Sequence, residues 1–415
     1  MTADTRAGLH VAIIGYVASA DVRPYLAGVT GPLPVGSPGA PLMGVLIGEL
    51  LRRGCRVSAI TTDVSLSLDG GLHRFRDGMF ELLVAPARQR AWRPNGFRPG
   101  RAMDGFAFEA EHMALAIALV APDIVHAHWT YEHALAALRH SLPTLITCHD
   151  SPRAVMRHSP DLYRLVRYLM ARRVFARGTA FTAVSEYLAG EVSSYLGGPP
   201  PVVSNPVADY ALSARGKPRS ASALRRVAMV CNGWSRRKNV EVGLQAFAHW
   251  RRSEPAAELH LFGQDFGIGQ AAHQWAQRRE LVQGVCFHGA CAHRDLIAAL
   301  AEMDALLHTA KEETFGVVIA EAMALGLPVV AGRRSGAVPA VMGADIHGLS
   351  AVGQLVDVES ADAIALGLRT IFDHQYTDRS RAGMRRVREH FTAEAVTSKY
   401  LERYHLILNG SGGDR

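Results

Sequence analysis

Two carboxylates, Glu313 and Glu321, stand eight residues apart around Phe315-Gly316, and this stretch carries more chemistry than any other in the chain. The apolar runs 305–308 and 328–331 on either side read as buried strands, so Glu313 falls in the loop after a strand and a helix starts near Val317. The first turn of a helix offers free N–H groups and a positive dipole end to an anion, and Gly316 lets the backbone approach that anion closely. Glu321, about one turn inside, can accept hydrogen bonds from sugar hydroxyls such as those of a ribose. Only four of the 45 basic residues are lysines, Lys217, Lys238, Lys311 and Lys399. Arginine serves wherever a generic charge suffices, so the retained lysines favour places that need a compact ammonium.

The helix pattern runs on as Ala322-Met323-Ala324-Leu325-Gly326-Leu327-Pro328-Val329-Val330. Other fragments accompany it in order: Pro122-Asp123-Ile124-Val125-His126-Ala127-His128, Thr147-Cys148-His149-Asp150, Phe181-Thr182-Ala183-Val184-Ser185-Glu186, Val203-Ser204-Asn205-Pro206-Val207, Arg236-Arg237-Lys238-Asn239 and Phe287-His288-Gly289. On these residues the sequence resembles the family 4 (group 1) glycosyltransferases, retaining enzymes that use nucleotide sugars and have the GT-B fold. The resemblance covers nearly the whole chain. It implies two Rossmann-like doubly wound α/β domains facing a cleft, with acceptor on the N-terminal one and donor nucleotide on the C-terminal one. A last helix crosses back to the first domain.

Carried over to this sequence, the resemblance makes Glu321 the ribose ligand and Glu313 the ligand of the transferred sugar's hydroxyls. The backbone of Phe315, Gly316, Val317 and Val318 meets sugar and phosphate, and Lys238 neutralises the diphosphate. Gly263 and Gly289 shape the base pocket, and His128 stands near the donor sugar. Gly36, Gly39 and His149 belong to the acceptor and phosphate side. Glu313, His128 and Lys238 are then the catalytic set, with no metal and no cofactor beyond the donor itself. His126 and His128 alternate along one strand and are expected on opposite faces. Three departures from the family pattern stand out. Trp234 follows Gly233 where an arginine on phosphate is usual, and Arg236 or Arg237 substitutes, with Arg237 preferred. The usual Gly-Gly pair of the first loop is split into Gly36 and Gly39. Ala340 replaces a glutamate.

The elements that must position these residues alternate in β-α-β order. Strands are expected at 10–15, 56–61, 124–127, 144–148 and 180–184, then at 227–231, 258–262, 285–288, 305–308 and 328–331. Helices are expected at 42–53, 107–120, 133–139 and 162–176, then at 239–252, 294–302, 317–325, 361–372 and 393–408. The polar stretch 211–223 reads as a linker, which gives domains at 1–209 and 210–390 and a returning segment at 391–415 with a frayed Gly-Ser-Gly-Gly end. Ligands of such sheets sit outside the carboxyl ends of the strands. The connection from Tyr16 to Pro41 far exceeds the ~2–6 residues of an ordinary βα loop and reads as functional.

Composition narrows the remaining classes. With 48% hydrophobic and 20% charged residues the chain is a well-cored globular protein. No run approaches the ~20 apolar residues of a membrane span, and the start Met1-Thr2-Ala3-Asp4-Thr5-Arg6 has no secretory pattern. Five scattered cysteines without a C-x-x-C pair suit a reduced, cytoplasmic protein without structural zinc. The net charge of +7 is spread over both halves, which argues against a nucleic-acid partner. Two arginine-rich stretches, 88–101 with Trp92 and Phe97 and 153–177, suit peripheral contact with an anionic membrane. The expected activity is transfer of a sugar from a nucleotide diphosphate to a hydroxyl of a glycolipid or surface polysaccharide. The alternatives are a nucleotide-sugar epimerase of the same fold and a catalytically dead homologue that binds partners.

Overall fold

A run such as Val11-Ala12-Ile13-Ile14 has no polar face, so its strand must be covered on both sides. Helices on both faces of a parallel sheet provide that cover. The computed structural model describes residues 8–214 and 224–410. The N-terminal residues up to Ala7, most of the expected linker and the tail after Gly410 lie outside the described residues. The chain forms two compact units: one runs to Pro206 and resumes at Ala393, and the other is Val207–Thr392.

The first unit is built on seven strands: β1 (His10–Ile14), β2 (Arg56–Asp63), β3 (His73–Asp77), β4 (Phe80–Pro86), β5 (Ile124–His128), β6 (Thr144–Cys148) and β7 (Phe181–Ala183). Their order is β3-β4-β2-β1-β5-β6-β7, parallel except for the β3–β4 hairpin. The second unit has six parallel strands, β8 (Arg226–Val230), β9 (Glu258–Phe262), β10 (Val285–Gly289), β11 (Ala305–His308), β12 (Val329–Gly332) and β13 (Gly353–Val356). Their order is β10-β9-β8-β11-β12-β13. These are two Rossmann-like sheets. In each, the first strand is flanked by strands from both winding directions, so chain order reverses beside β1 and beside β8.

Four features differ from the sequence expectation. Neither strand of the β3–β4 hairpin is among those expected: His73-Arg74-Phe75-Arg76-Asp77 is a polar edge strand with little apolar signal, whereas Phe80–Pro86 is a buried apolar run that the pattern did carry. Edge strand β13 is likewise short and half-buried. The connection from Tyr16 to Pro41 is not all loop, since it holds a helical turn at Ser19–Val22 and a 3-10 turn at Arg23–Leu26. The start of the expected linker is the short helix Asp209–Ser213.

The last helix, Ala393–Gly410, packs on the first unit. Val396, Tyr400, Leu401 and Tyr404 join Val11, Ile13, Leu46 and Leu145 in one buried cluster. The Tyr404 hydroxyl hydrogen-bonds His126 Nδ1 at 2.7 Å, and His126 Nε2 is bonded to Thr147 Oγ1 at the same distance. Both rings are fully buried, so removing one partner leaves a polar atom that water cannot reach. Tyr404→Phe is expected to cost ~1–3 kcal/mol, read as a lower urea midpoint with an unchanged m-value.

Candidate functional site

In the second unit the switch point lies between β8 and β11, where crossovers leave toward opposite edges and loops can converge. Beyond β8 the chain turns at Gly233 (φ 85°) and reaches Lys238, whose backbone N–H donates to the Ser235 carbonyl at 3.0 Å. Asn239 then takes φ 55° ahead of the helix Val240–Arg251, and its Nδ2 donates to the Val358 carbonyl at 2.6 Å. Beyond β11 the chain leads to Glu313, which is tied on both sides: its N–H donates to the Ser335 carbonyl (3.3 Å) and its carbonyl accepts from Ala337 N–H (2.9 Å).

These two loops meet at one carboxylate. Lys238 Nζ donates to Glu313 Oε1 at 2.6 Å, and His308 Nε2 stands 3.5 Å from the same oxygen. Burial pushes the Glu313 carboxyl up, but His308 and Lys238 together hold it well below the usual carboxylate range. Arg237 Nη1 donates to the Glu312 carbonyl at 3.1 Å, which lays its guanidinium along the same loop, whereas Arg236 is exposed.

Gly316 caps the helix Val317–Ala324 at φ 86°, a left-handed value that an L side chain adopts only with strain. Its carbonyl accepts from Ile319 N–H at 2.9 Å, while the N–H groups of Val317 and Val318 lie in the first turn and have no acceptor within the helix. Phe315 is buried edge-on against Phe391, 5.3 Å between centroids. Glu321, four residues into the helix, accepts from His293 Nε2 at 2.7 Å, and His293 Nδ1 is hydrogen-bonded to the Tyr210 hydroxyl. Gly263 N–H donates to the Gly289 carbonyl at 2.8 Å. A Cβ on Gly263 would sit 1.9 Å from the Cys231 carbonyl, so the chain itself demands glycine there.

The first unit holds a second polar cluster. His126 and His128 do not lie on opposite faces, because residues two apart in a strand share one. Their ring centroids are 4.0 Å apart. His128 Nδ1 shares a hydrogen bond with His149 Nε2 at 2.9 Å, and its Nε2 is buried without a partner. Trp129, at φ 66°, stacks on His149 at 4.3 Å. Burial lowers all three histidines, to about 3 for His149 and well below the ordinary value for His126 and His128, so the rings are neutral near pH 7. Next to them Arg167 donates to Glu132 (2.5 Å) and Tyr16 (3.0 Å) and covers the Tyr131 ring, whose hydroxyl reaches Asp150 at 2.9 Å. Gly36 N–H donates to Asp63 at 3.0 Å, and a Cβ there would meet the Val17 carbonyl at 2.5 Å; Gly39 (φ 112°) faces open space. Among the described residues no three His, Cys, Asp or Glu side chains are grouped to hold a metal ion, and no helix is long and apolar enough to cross a membrane.

Two family models fall on the two sheets. Glycosyltransferase Family 4 matches residues 44–209, and Glycosyl transferases group 1 matches residues 224–386. The chain belongs to the group 1, family 4 glycosyltransferases. This glycosyltransferase is 26% identical over 302 residues to N-acetyl-alpha-D-glucosaminyl L-malate synthase of Bacillus anthracis, a match covering 69% of the chain and 75% of the relative. Its GT-B fold is shared with sucrose-phosphate synthase from Thermosynechococcus elongatus (TM-score 0.71, 17% identity, 97% of this chain and 100% of that one). Anabaena HepE, solved in complex with UDP and glucose, is similar at TM-score 0.61 and 17% identity, over 96% of this chain and 100% of that one.

Of the residues singled out in the sequence of this glycosyltransferase, Lys238, Glu313 and Arg237 come together at one loop junction, with Phe315, Gly316, Val317 and Val318 next in the chain. His128 and His149 touch each other in the first unit. Trp234 packs its indole against Trp275 and Phe266, with centroids 5.7 and 6.3 Å away, as a core residue of its loop. Sequence reasoning missed His308, His293 and Tyr210. His308 ends a strand just before Glu313 and was legible there, but nothing in the sequence joins His293 to Glu321.

The Glu313–Lys238 pair sets a pH dependence. A carboxyl lowered by folding contributes stability that is complete above its unfolded pKa, near 4.5, and is lost as pH falls toward its folded value. Glu313→Gln is therefore expected to cost ~3–5 kcal/mol at pH 7, with the difference from wild type shrinking as pH drops below about 4.5. Urea titrations at pH 7, 5 and 3.5 check this.

Proposed function

We propose that the enzyme moves a sugar, with retention of its anomeric configuration, from a nucleotide diphosphate to a hydroxyl of a glycolipid or surface polysaccharide. The observation that carries this reading is the junction of Lys238, Glu313 and the Gly316 helix start at the switch point of the second sheet. A cation, N–H donors and a carboxylate within one loop system suit a diphosphate with a sugar attached. HepE, a structural neighbour, was solved with UDP and glucose. In this reading Lys238 and Arg237 hold the diphosphate, with the amides of Phe315 to Val318. Glu313 takes the sugar hydroxyls, Glu321 takes the ribose, and Gly263 and Gly289 border the base. The acceptor belongs to the first unit, with Gly36, Gly39 and His149 on its side.

The C1–phosphate oxygen bond breaks, and the acceptor oxygen bonds C1 on the same face. The acceptor's proton passes to the departing phosphate. Negative charge grows on that phosphate as the bond breaks, and fixed cations and N–H dipoles stabilise it without reorganising. This chemistry needs no metal, since Lys238 and Arg237 supply the countercharge. His128, neutral near pH 7, serves as a hydrogen-bonding group near the sugar rather than as a cation.

Thermal shift with UDP, GDP, ADP, TDP and their common sugars, in EDTA, tests the donor side. One nucleotide is expected to stabilise the wild type by ~2.7 kcal/mol at a hundred times its dissociation constant, an effect lost in Glu321→Ala and Lys238→Ala. No stabilisation by any of them, or an effect only when EDTA is replaced by a divalent cation, would overturn the assignment. The anomeric configuration of the product, read by proton NMR, decides retention.

The membrane reading rests on loop 87–106. Arg88 is buried and bonded to Asp104 (2.7 Å), Glu109 (2.7 Å) and the Pro99 carbonyl (3.2 Å), which fixes the loop. In the same loop Phe97 is fully exposed, and Trp92, Arg90 and Arg93 are exposed as well, while Arg98 is paired with Asp69. Such a surface suits the anionic inner face of a cell membrane. Co-sedimentation with anionic phosphatidylglycerol vesicles is expected to fall about tenfold in a Trp92→Ala/Phe97→Ala double variant, against little binding to phosphatidylcholine alone. Equal sedimentation of the two proteins would sink the idea.

A further inference from the structure

Glu321 lies in a helix whose other residues are Val317, Val318, Ile319, Ala320, Ala322, Met323 and Ala324. A carboxylate on such a helix is costly unless donors meet it. Its side chain is 5% exposed, and His293, 23% exposed, is the side chain hydrogen-bonded to it among the described residues. We propose that His293 is a positioning residue for donor recognition: its Nε2–H orients the Glu321 carboxylate toward the two ribose hydroxyls, and the Tyr210 hydroxyl sets the imidazole tautomer that makes this possible. The proposal rests on the assignment of Glu321 to the ribose.

The hydrogen-bond chain fixes each role. An ionised carboxylate only accepts, so the proton at the 2.7 Å contact sits on His293 Nε2. With the imidazole neutral in this proposal, its Nδ1 is bare and the Tyr210 hydroxyl, within hydrogen-bond distance, is assigned as the donor to it. Arg294 covers the Tyr210 ring, with its guanidinium carbon 4.4 Å from the centroid, which holds the phenol in place. The three residues come from three elements: His293 opens the helix His293–Ala301, Tyr210 lies in Asp209–Ser213, and Glu321 in Val317–Ala324.

Lone-pair arithmetic shows why this arrangement suits a diol. A carboxylate offers about four acceptor sites, and His293 uses one of them on Oε1. Oε2 and the remaining site on Oε1 are left for two adjacent hydroxyls. Without His293 the carboxylate can rotate about its last torsion, and the two acceptors are no longer held in the plane that the hydroxyls need. A lost 2′-hydroxyl should then matter less, because the site that rewarded it is no longer preorganised.

The test is the affinity ratio between a ribonucleotide and its 2′-deoxy counterpart, measured by calorimetry with UDP, GDP and ADP and their 2′-deoxy forms. In the wild type the nucleotide that binds is expected to bind about tenfold or more tighter than its deoxy form. Glu321→Ala should abolish the difference. His293→Ala should narrow it to about twofold, and His293→Gln, whose amide can donate at similar reach, should restore it. Tyr210→Phe should give an intermediate ratio. If His293→Ala or a folded His293→Gln weakens both nucleotides equally and His293→Ala keeps the wild-type ratio, His293 merely satisfies a buried charge and the proposal fails alone. If Glu321→Ala keeps the ratio, or the wild type binds no nucleotide, the ribose assignment fails and takes the proposal with it.

Discussion

A buried carboxylate must be met by positive charge or be protonated, and at Glu313 the requirement is met by Lys238. That pairing constrains the second unit widely. It needs β8 and β11 side by side with their carboxyl ends at the same edge, which the order β9-β8-β11-β12 supplies. It also needs both connecting loops pinned, which the bonds from Glu313 to Ser335 and Ala337 and the left-handed turn at Asn239 provide. In the proposed reading the ammonium that neutralises Glu313 also faces the donor's diphosphate.

The parts legible in the sequence are those that depend on local pattern. Buried parallel strands announce themselves as apolar runs, and so β1, β5, β6, β9 and β11 were expected within a residue or two of where they lie. Gly316, Glu313 and Glu321 could be placed because loop, helix start and strand follow one another within some twenty residues. What was not legible depends on contacts between distant segments or on weakly patterned edges. The strand His73–Asp77 is polar because its outer face meets solvent, so hydrophobic periodicity gives it no voice. His293 and Tyr210 find Glu321 only through the fold. The two histidines of β5 were misplaced for a different reason, an error of period: a spacing of two keeps side chains on one face.

The first unit places its polar groups under a different rule. His126, His128 and His149 are packed so deeply that the protonated form of each is suppressed, and they act on one another as neutral rings. The formal charge of this region is carried instead by Arg167 and Glu132, with burial working to raise the Glu132 carboxyl and Arg167 holding it at about 2. Charge and hydrogen-bonding capacity are thus divided between neighbouring side chains, a division that composition alone does not reveal.

The return of the last helix to the first unit has a consequence for how the chain is made. Val207–Thr392 is an insertion between two segments of one unit. On a ribosome the inserted unit is complete before Ala393 is added, while the earlier strands still lack Val396, Tyr400, Leu401 and Tyr404 over their core. At ~5–20 residues per second that wait lasts on the order of ten seconds or more. The first sheet to be synthesised is therefore the last to close, and its apolar surface near Val11 and Leu46 is what a chaperone would meet in the interval.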